Sequence, residues 1–336
     1  MQIRPVRVDD DAEFGRFHEV MEAAERFERP HAGMWSLEET RIRFREGDPA
    51  ERVVGVVALE RDEIVGSGMA SLPTADNRHL DWVTPWVEPH RRRQGIGSDV
   101  LGHLLELCRG EGRSHHLIET AYPFERREDH PYRLFAEKHG FSLANTEICR
   151  HLPLPVDEAE LDRHITEAAG HHDGYRIESF DGPIPDELVD SLCDTKNQLG
   201  VDAPTGAVDF EEEGMDRAIL REREALLAKQ GRVMITTVAI SPAGDVVAYS
   251  DLVIPRGDLP NVYQWGTLVR REHRGRRLGM AVKARGLKEL QSRIGPDRTR
   301  VSTCNAEQNA HMVGINERLG FRPVEVTPMF LLRDPH

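Results

Sequence analysis

The chain has 336 residues, of which 39% are hydrophobic and 30% charged, and its formal net charge is −14. That length is long for one hydrophobic core, so two domains are expected. The acidic balance argues against nucleic acid as a bulk partner. The longest apolar runs are strand-sized, far short of the ~20 residues of a membrane helix, and no signal core opens the chain. A cytoplasmic protein without membrane partners is expected. Four cysteines, Cys108, Cys149, Cys193 and Cys304, lie far apart without a CxxC pattern and read as free thiols.

In chain order, Ile3 to Val8 alternates as a first strand. Asp9 to Asp11 cap a helix with Phe14, Phe17, Val20, Met21 and Ala24 at helical spacing. Ser36 and Glu39 form a capping box for a second helix ending near Gly47. Strands over 52–59 and 64–72 flank a tight turn at Arg61 and Asp62, and a fourth strand covers 80–87. A basic turn follows, then a helix over 95–109, a strand over 116–121, a helix over 131–139 and a closing strand from Phe141 to about Leu152. Residues 153–174 read as a linker with one short helix. The plan then repeats: a strand over 175–179, helices over 186–199 and 210–230, strands over 232–240, 245–254 and 262–269, and a second basic turn. A helix over 277–294, a strand over 298–303, a helix over 307–319 and a final strand over 321–332 complete it. The expectation is an α/β protein with mixed α+β sheets: residues 1–155 as one domain, 156–173 as linker and 174–336 as the second domain.

Each basic turn joins a strand to an amphipathic helix. Successive backbone N–H groups and a helix N-terminus then converge on one spot, which suits an anion. The first turn carries Arg92, Arg93, Gln94, Gly95 and Gly97; the second carries Arg274, Gly275, Arg276, Arg277, Gly279 and Ala281. Clustered arginines in an acidic chain point to a small polyanionic ligand. The adjacent pairs His115-His116 and His171-His172 lack the spacing of facing metal ligands, so no metal is expected.

This order of elements, with the cradle after the fourth strand, resembles the GNAT superfamily of acyl-CoA-dependent N-acetyltransferases, as two tandem domains. Arg92 to Gly97 matches the family's coenzyme loop in full. Arg274 to Gly279 matches with Arg277 in the first glycine position, and Arg276 to Ala281 is a second possible register. The run Asn309 to Phe321, ending in Leu319, Gly320 and Phe321, matches the family's second signature. In the first half Asp129 and Ala136 fall at the positions of Asn309 and Asn316, and only Gly140 and Phe141 persist.

The resemblance implies acetyl-CoA as cosubstrate and a small-molecule amine as acceptor, with a monomer or homodimer as the assembly. It implies that backbone groups of Leu268 and Val269, and of Trp86 and Val87, face the coenzyme, and that Asn309 contacts it. The family often has Tyr where Asn316 stands, and Asn is no Brønsted acid near neutral pH. Candidate catalytic residues are Asp251 first and Glu307 second as base, Asn316 at the usual acid position, and Cys304 near the thioester path. Tyr263 could orient a water. The implied division of labour is coenzyme binding in both halves and chemistry in the second. A non-catalytic acyl-CoA-binding or sensing protein is the alternative.

Overall fold

The computed structural model describes residues 1–30, 32–202, 206–211, 214–257 and 259–334. The chain divides into two compact units. Unit 1 comprises Met1–Glu147, Thr205–Glu211 and Glu325–His336; unit 2 comprises Ile148–Pro204 and Glu212–Val324.

The elements of the first half are β1 (Gln2–Pro5), α1 (Asp11–Glu25), α2 (Leu37–Glu46), β2 (Glu51–Glu60), β3 (Glu63–Pro73) and β4 (Leu80–Trp86). There follow α3 (Ile96–Gly110), β5 (His115–Glu119), the short β6 (Tyr122–Pro123), α4 (Pro131–Lys138) and β7 (Ser142–Pro153). Beyond them lie α5 (Glu158–Ala169), β8 (Arg176–Asp181), α6 (Asp186–Asp202), α7 (Arg217–Lys229), β9 (Val233–Ile240) and β10 (Val246–Ile254). The last elements are β11 (Asn261–Val269), α8 (Leu278–Gln291), β12 (Arg300–Ala306), α9 (Ala310–Arg318) and β13 (Arg322–Arg333).

Local chemistry explains most of these boundaries. The Asp10 side chain accepts from Glu13 N to start α1, and the Ser36/Glu39 capping box is present at α2. Between β2 and β3 only Arg61 and Asp62 intervene, both with positive φ, so the hairpin closes on a two-residue turn of matching twist. Helix α7 begins at Arg217, later than the expected 210, because Asp216 caps it by accepting from Ile219 N. Glu212 and Glu213 of the expected first turn lie outside the described residues.

In unit 1 the sheet runs β1-β2-β3-β4-β5-β13, antiparallel except for the parallel pair β4/β5. Helices α1 and α2 cover one face through Phe14, Phe17, Val20 and Phe44, and α3 covers the other through Ile96, Val100, Leu101, Leu104 and Cys108. In unit 2 the sheet repeats the order as β8-β9-β10-β11-β12-β7, with β11/β12 parallel.

The closing strands differ from expectation. The strand that completes unit 1 is not β7 but the last strand of the chain, residues 325–333 of β13, with Met329 opposite Glu119 and Phe330 opposite Ile118. Residues 148–153 of β7 instead lie beside β12 in unit 2. The boundary at 155 and the contiguous second domain are therefore corrected. The expected linker is also largely structured: α5 buries Leu161, His164 and Ala168 and packs on α8. The physical reason is that a strand's alternation fixes which face it buries but not which neighbour it pairs with.

Candidate active site

The two basic turns share one backbone path. In each, a single 3₁₀ turn (Pro89–Arg91, Arg271–His273) leads to an extended arginine, Arg92 or Arg274. That arginine's Nε donates to the carbonyl five residues back, Val87 O at 3.2 Å and Val269 O at 3.1 Å. Two positive-φ residues follow in both. In unit 1 they are Arg93 (φ 64) and Gly95 (φ 89); in unit 2 they are Gly275 (φ 82) and Arg277 (φ 54). Glycine and arginine have traded places. Gly95 and Arg277 are the N-caps of α3 and α8, which sets the register as Arg274 to Gly279 against Arg92 to Gly97. Ala281 is then a buried residue of the first turn of α8, one turn beyond the loop.

The parallel strands beside each turn pair for only three residues. Strand β4 follows β5 from Leu80 to Trp82, and β11 follows β12 from Asn261 to Tyr263. Beyond these points the strands diverge, and what fills each gap separates the units.

In unit 1 the gap is a cavity of about 530 Å³. Arg92, Arg93, Gly95 and Gly97 line one end; Trp86, Val87, Glu25, Glu119 and Tyr132 line the rest. Arg92 stacks 4.1 Å from the Phe27 ring centroid and donates to the Tyr132 hydroxyl at 2.7 Å. Its Nη1 is buried without a hydrogen-bond partner. A Cβ on Gly95 would meet nothing within 4 Å, so the turn presents open backbone to the cavity. Trp86 Nε1 donates to Glu25 at 2.9 Å. Glu119, the last residue of β5, reaches solvent through the cavity, and its carboxylate has no hydrogen-bond or ion-pair partner among the described residues. Enclosure by protein, and then the charges of Glu147 and Glu25, push its carboxyl up to about 7. Burial holds the Tyr132 phenol up at about 12, and its hydroxyl donates to Ala24 O.

Unit 2 is filled. Asp202, at the end of α6, accepts from Arg271 Nε at 2.7 Å and also binds Arg274, with its own side chain only 6% exposed. Arg276 lies 5.9 Å from the Tyr175 ring, and His273 hydrogen-bonds the Tyr175 hydroxyl at 2.8 Å. A Cβ on Gly279 would meet Ile315 of α9 at 3.1 Å, whereas at Gly97 the nearest atoms stand at 3.5 Å. Leu268 and Val269 pack into unit 2 cores.

The catalytic candidates are dispersed. Asp251 is buried on β10, accepting from Thr236 Oγ1 at 2.8 Å and paired with Lys196 of α6. Glu307 lies on an exposed turn before α9. Asn309 caps α9, accepting from Met312 N at 3.2 Å. Asn316 is fully buried and donates to Asn305 at 2.6 Å. Cys304 is not a free thiol: it forms a disulfide with Cys149, so it has no proton to give. Only Cys108 and Cys193 are free. Strand ladders align His115 with Arg300, which places Cys304 at the position of Glu119. In the first half, Asp129 sits one residue before the helix cap, which is His130.

Residues 15–141 match the acetyltransferase (GNAT) family. The match lies within unit 1 and covers less than half of the chain. The likeness of fold extends over the whole chain. A tandem GNAT protein from the clavulanic acid biosynthesis pathway, solved without acetyl-CoA, superposes with a TM-score of 0.79 at 24% identity, covering 100% of this chain and 99% of that one. A GCN5-related N-acetyltransferase from Sphaerobacter thermophilus gives 0.64 at 14% identity, covering 99% and 95%. A glucosamine N-acetyltransferase region of a fungal multi-domain GH3 β-N-acetylglucosaminidase gives 0.66 at 15% identity, covering 98% of this chain and 38% of that one. No curated protein sequence is matched. The fold of the whole chain is thus that of a tandem GNAT protein. No helix among the described residues is long and apolar enough to cross a membrane.

The sequence reading missed Glu119, Glu25 and Tyr132. Glu119 had a signal, as the first charged residue after the apolar pair Leu117-Ile118. Glu25 and Tyr132 had none, since only the fold brings the ends of α1 and α4 to one cavity.

Proposed function

We propose that unit 1 transfers an acetyl group from acetyl-CoA to a primary amine of a small molecule, by direct attack in a ternary complex. The observation that carries this reading is the cavity of about 530 Å³ with arginines and an open glycine turn at one end and an unpaired carboxylate, Glu119, along its wall. The residues fit a pyrophosphate: the buried Arg92 Nη1 lacks a partner, and nothing crowds Gly95. Acetyl-CoA supplies the acyl group already activated as a thioester. The turn and the start of α3 hold its phosphates by backbone N–H groups and helix dipole. Trp86, at the end of β4 where its pairing with β5 has ceased, and Val87 just beyond it line the cavity, and backbone N–H groups there suit the pantetheine arm and the developing oxyanion.

Glu119 accepts the proton that the amine loses on attack. Its raised proton affinity matches a base working near neutral pH. The thioester C–S bond breaks as the new C–N bond forms, the coenzyme leaves as its thiolate, and Tyr132, the phenol of this cavity, returns a proton to it. The expected division of labour is therefore reversed: Asp251, Glu307 and Asn316 are structural or peripheral in unit 2, and its loop arginines already hold an internal carboxylate, Asp202. Calorimetric titration with acetyl-CoA tests the assignment. A Cβ at Gly97 meets its neighbours at ordinary contact distance, and Gly97→Asp adds a negative charge at the turn that would hold the phosphates, with the unfolding transition of the variant measured alongside as the control for folding. Loss of coenzyme binding in this variant is expected; unchanged binding would refute the proposal.

A further inference from the structure

Arg92 makes contacts beyond those that an anion-binding turn requires. Its Nε donates to Val87 O at 3.2 Å, just past the end of β4, and its Nη2 donates to the Tyr132 hydroxyl at 2.7 Å. The guanidinium lies 4.1 Å from the Phe27 ring centroid and 5.1 Å from that of Tyr132. Tyr132 is fixed from the other side as well. Its backbone N donates to His130 Nδ1 at 3.3 Å where α4 begins, and the two rings meet edge to face with centroids 4.6 Å apart.

The second copy of the turn separates what is structural in this arrangement from what is not. Arg274 makes the same Nε bond, to Val269 O at 3.1 Å, so that contact belongs to the turn itself. Its Nη2 engages Asp202 instead, and α9, which follows β12 as α4 follows β5, contains no tyrosine. The bond from Nη2 to a phenol is thus confined to the unit with the open cavity, and both of its partners line that cavity. Burial holds the phenol up, while the charge and the hydrogen bond of Arg92 draw its proton affinity down.

We infer that Arg92 is a positioning residue for proton delivery: through Nη2 it holds the Tyr132 hydroxyl in place to protonate the departing thiolate, and it stabilises the phenolate that results. The inference rests on acetyl transfer in unit 1. As the C–S bond of the thioester breaks, an S–H bond forms on the coenzyme and the O–H bond of Tyr132 breaks. The phenolate regains a proton from solvent as the products leave. A phenolate formed in a buried site needs a charged donor, and a guanidinium already aimed at its oxygen supplies one without rearrangement. Lysine would carry the same charge on one nitrogen at the end of a flexible stem. It could not hold Val87 O and the Tyr132 hydroxyl together as the planar fork does.

The test measures kcat and KM for acetyl-CoA by thiol release from the full chain, for Arg92→Lys, Tyr132→Phe and the two together, with each unfolding transition recorded. Tyr132→Phe is expected to lower kcat by about 10² or more, as for the loss of a positioned acid. Arg92→Lys is expected to lower kcat about tenfold or more, the loss of one charge-assisted hydrogen bond, and to change KM less than about threefold, because the charge is kept. In the Tyr132→Phe background the same substitution is expected to cost less than about twofold in kcat, since the group it acts through has gone. In the Glu119→Gln background it is expected to keep its full cost. In protein labelled at tyrosine Cζ, the Tyr132 resonance, identified by its absence in Tyr132→Phe, is expected to shift in Arg92→Lys. Equal costs of Arg92→Lys with and without Tyr132, or release at full rate in Tyr132→Phe, would overturn the inference and leave transfer in unit 1 standing. Release that survives Gly97→Asp would remove the reading on which it rests, and the inference with it.

Discussion

Glu119 makes turnover depend on pH in a defined direction. Its carboxyl is held at about 7, so the proton-accepting form grows as pH rises through neutrality and is lost below it. Glu119→Gln is expected to lower kcat by about 10²–10⁴, the range for a positioned general base, and to abolish the rise of rate through pH 7. A variant that keeps both rate and rise would remove Glu119 from the chemistry. Lys283 offers a residue-scale test of unit 2. It is 1% exposed within α8, 5.5 Å from the Phe321 ring, and burial lowers its ammonium to about 7 from 10.5. Between these values the unfolded chain holds a proton that the folded chain does not, so stability rises with pH across that window and is lowest below 7. Lys283→Leu is expected to raise the thermal midpoint at pH 6.5 and to flatten that slope; an unchanged slope would contradict the burial. The sequence shows why such residues resist reading. Arg277 was legible as a displaced glycine, and its positive φ bears that out. The disulfide partner of Cys304 was not, because 155 residues separate it from Cys149 and only adjacent strands bring them together. Nor was Asp202 distinguishable from any other acidic residue near a helix end.

At the scale of elements, the closing strands carry the clearest consequence. Most strands, helices and turns were legible, since periodicity and caps are local. The partner of β5 was not, because β7 and β13 are both alternating strands that follow a Gly-Phe pair. Strand β13 gives unit 1 the buried side chains of Phe330 and Leu331 and, just beyond it, Asp334. Asp334 lies 3.1 Å from His116 Nε2, whose Nδ1 lies 2.7 Å from Asp81. Burial opposes charging His116, yet the Asp81 contact raises its proton affinity, which favours the ionic form of the cluster. A chain ending at residue 155 loses β13, bares the edge of β5 and leaves His116 without one carboxylate. It is expected to show no cooperative unfolding transition by circular dichroism. The same fragment with residues 322–334 joined through a flexible linker is expected to regain one. Cooperative unfolding of the bare fragment would show that β13 is dispensable to unit 1.

Across the whole molecule, one fold is used twice with different contents. Both units keep the divergent parallel strands and the arginine turn. Unit 1 leaves the gap open and places an unpaired carboxylate in it; unit 2 engages Arg271 and Arg274 with Asp202 and replaces the carboxylate by half of a cystine. The sequence favoured unit 2 because its last helix keeps the family's Asn and Leu-Gly-Phe spacing, yet in the structure that Asn309 serves as a helix cap. Spacing conserves the scaffold of a site more readily than its open space. The central claim, that transfer chemistry resides in unit 1, is tested most directly by measuring thiol release from acetyl-CoA across a panel of primary amines. Gly97→Asp and Glu119→Gln are compared with Arg274→Gln and Glu307→Gln. Release that is lost in the first pair and retained in the second is the expected result; release that survives the first pair and fails in the second would contradict it.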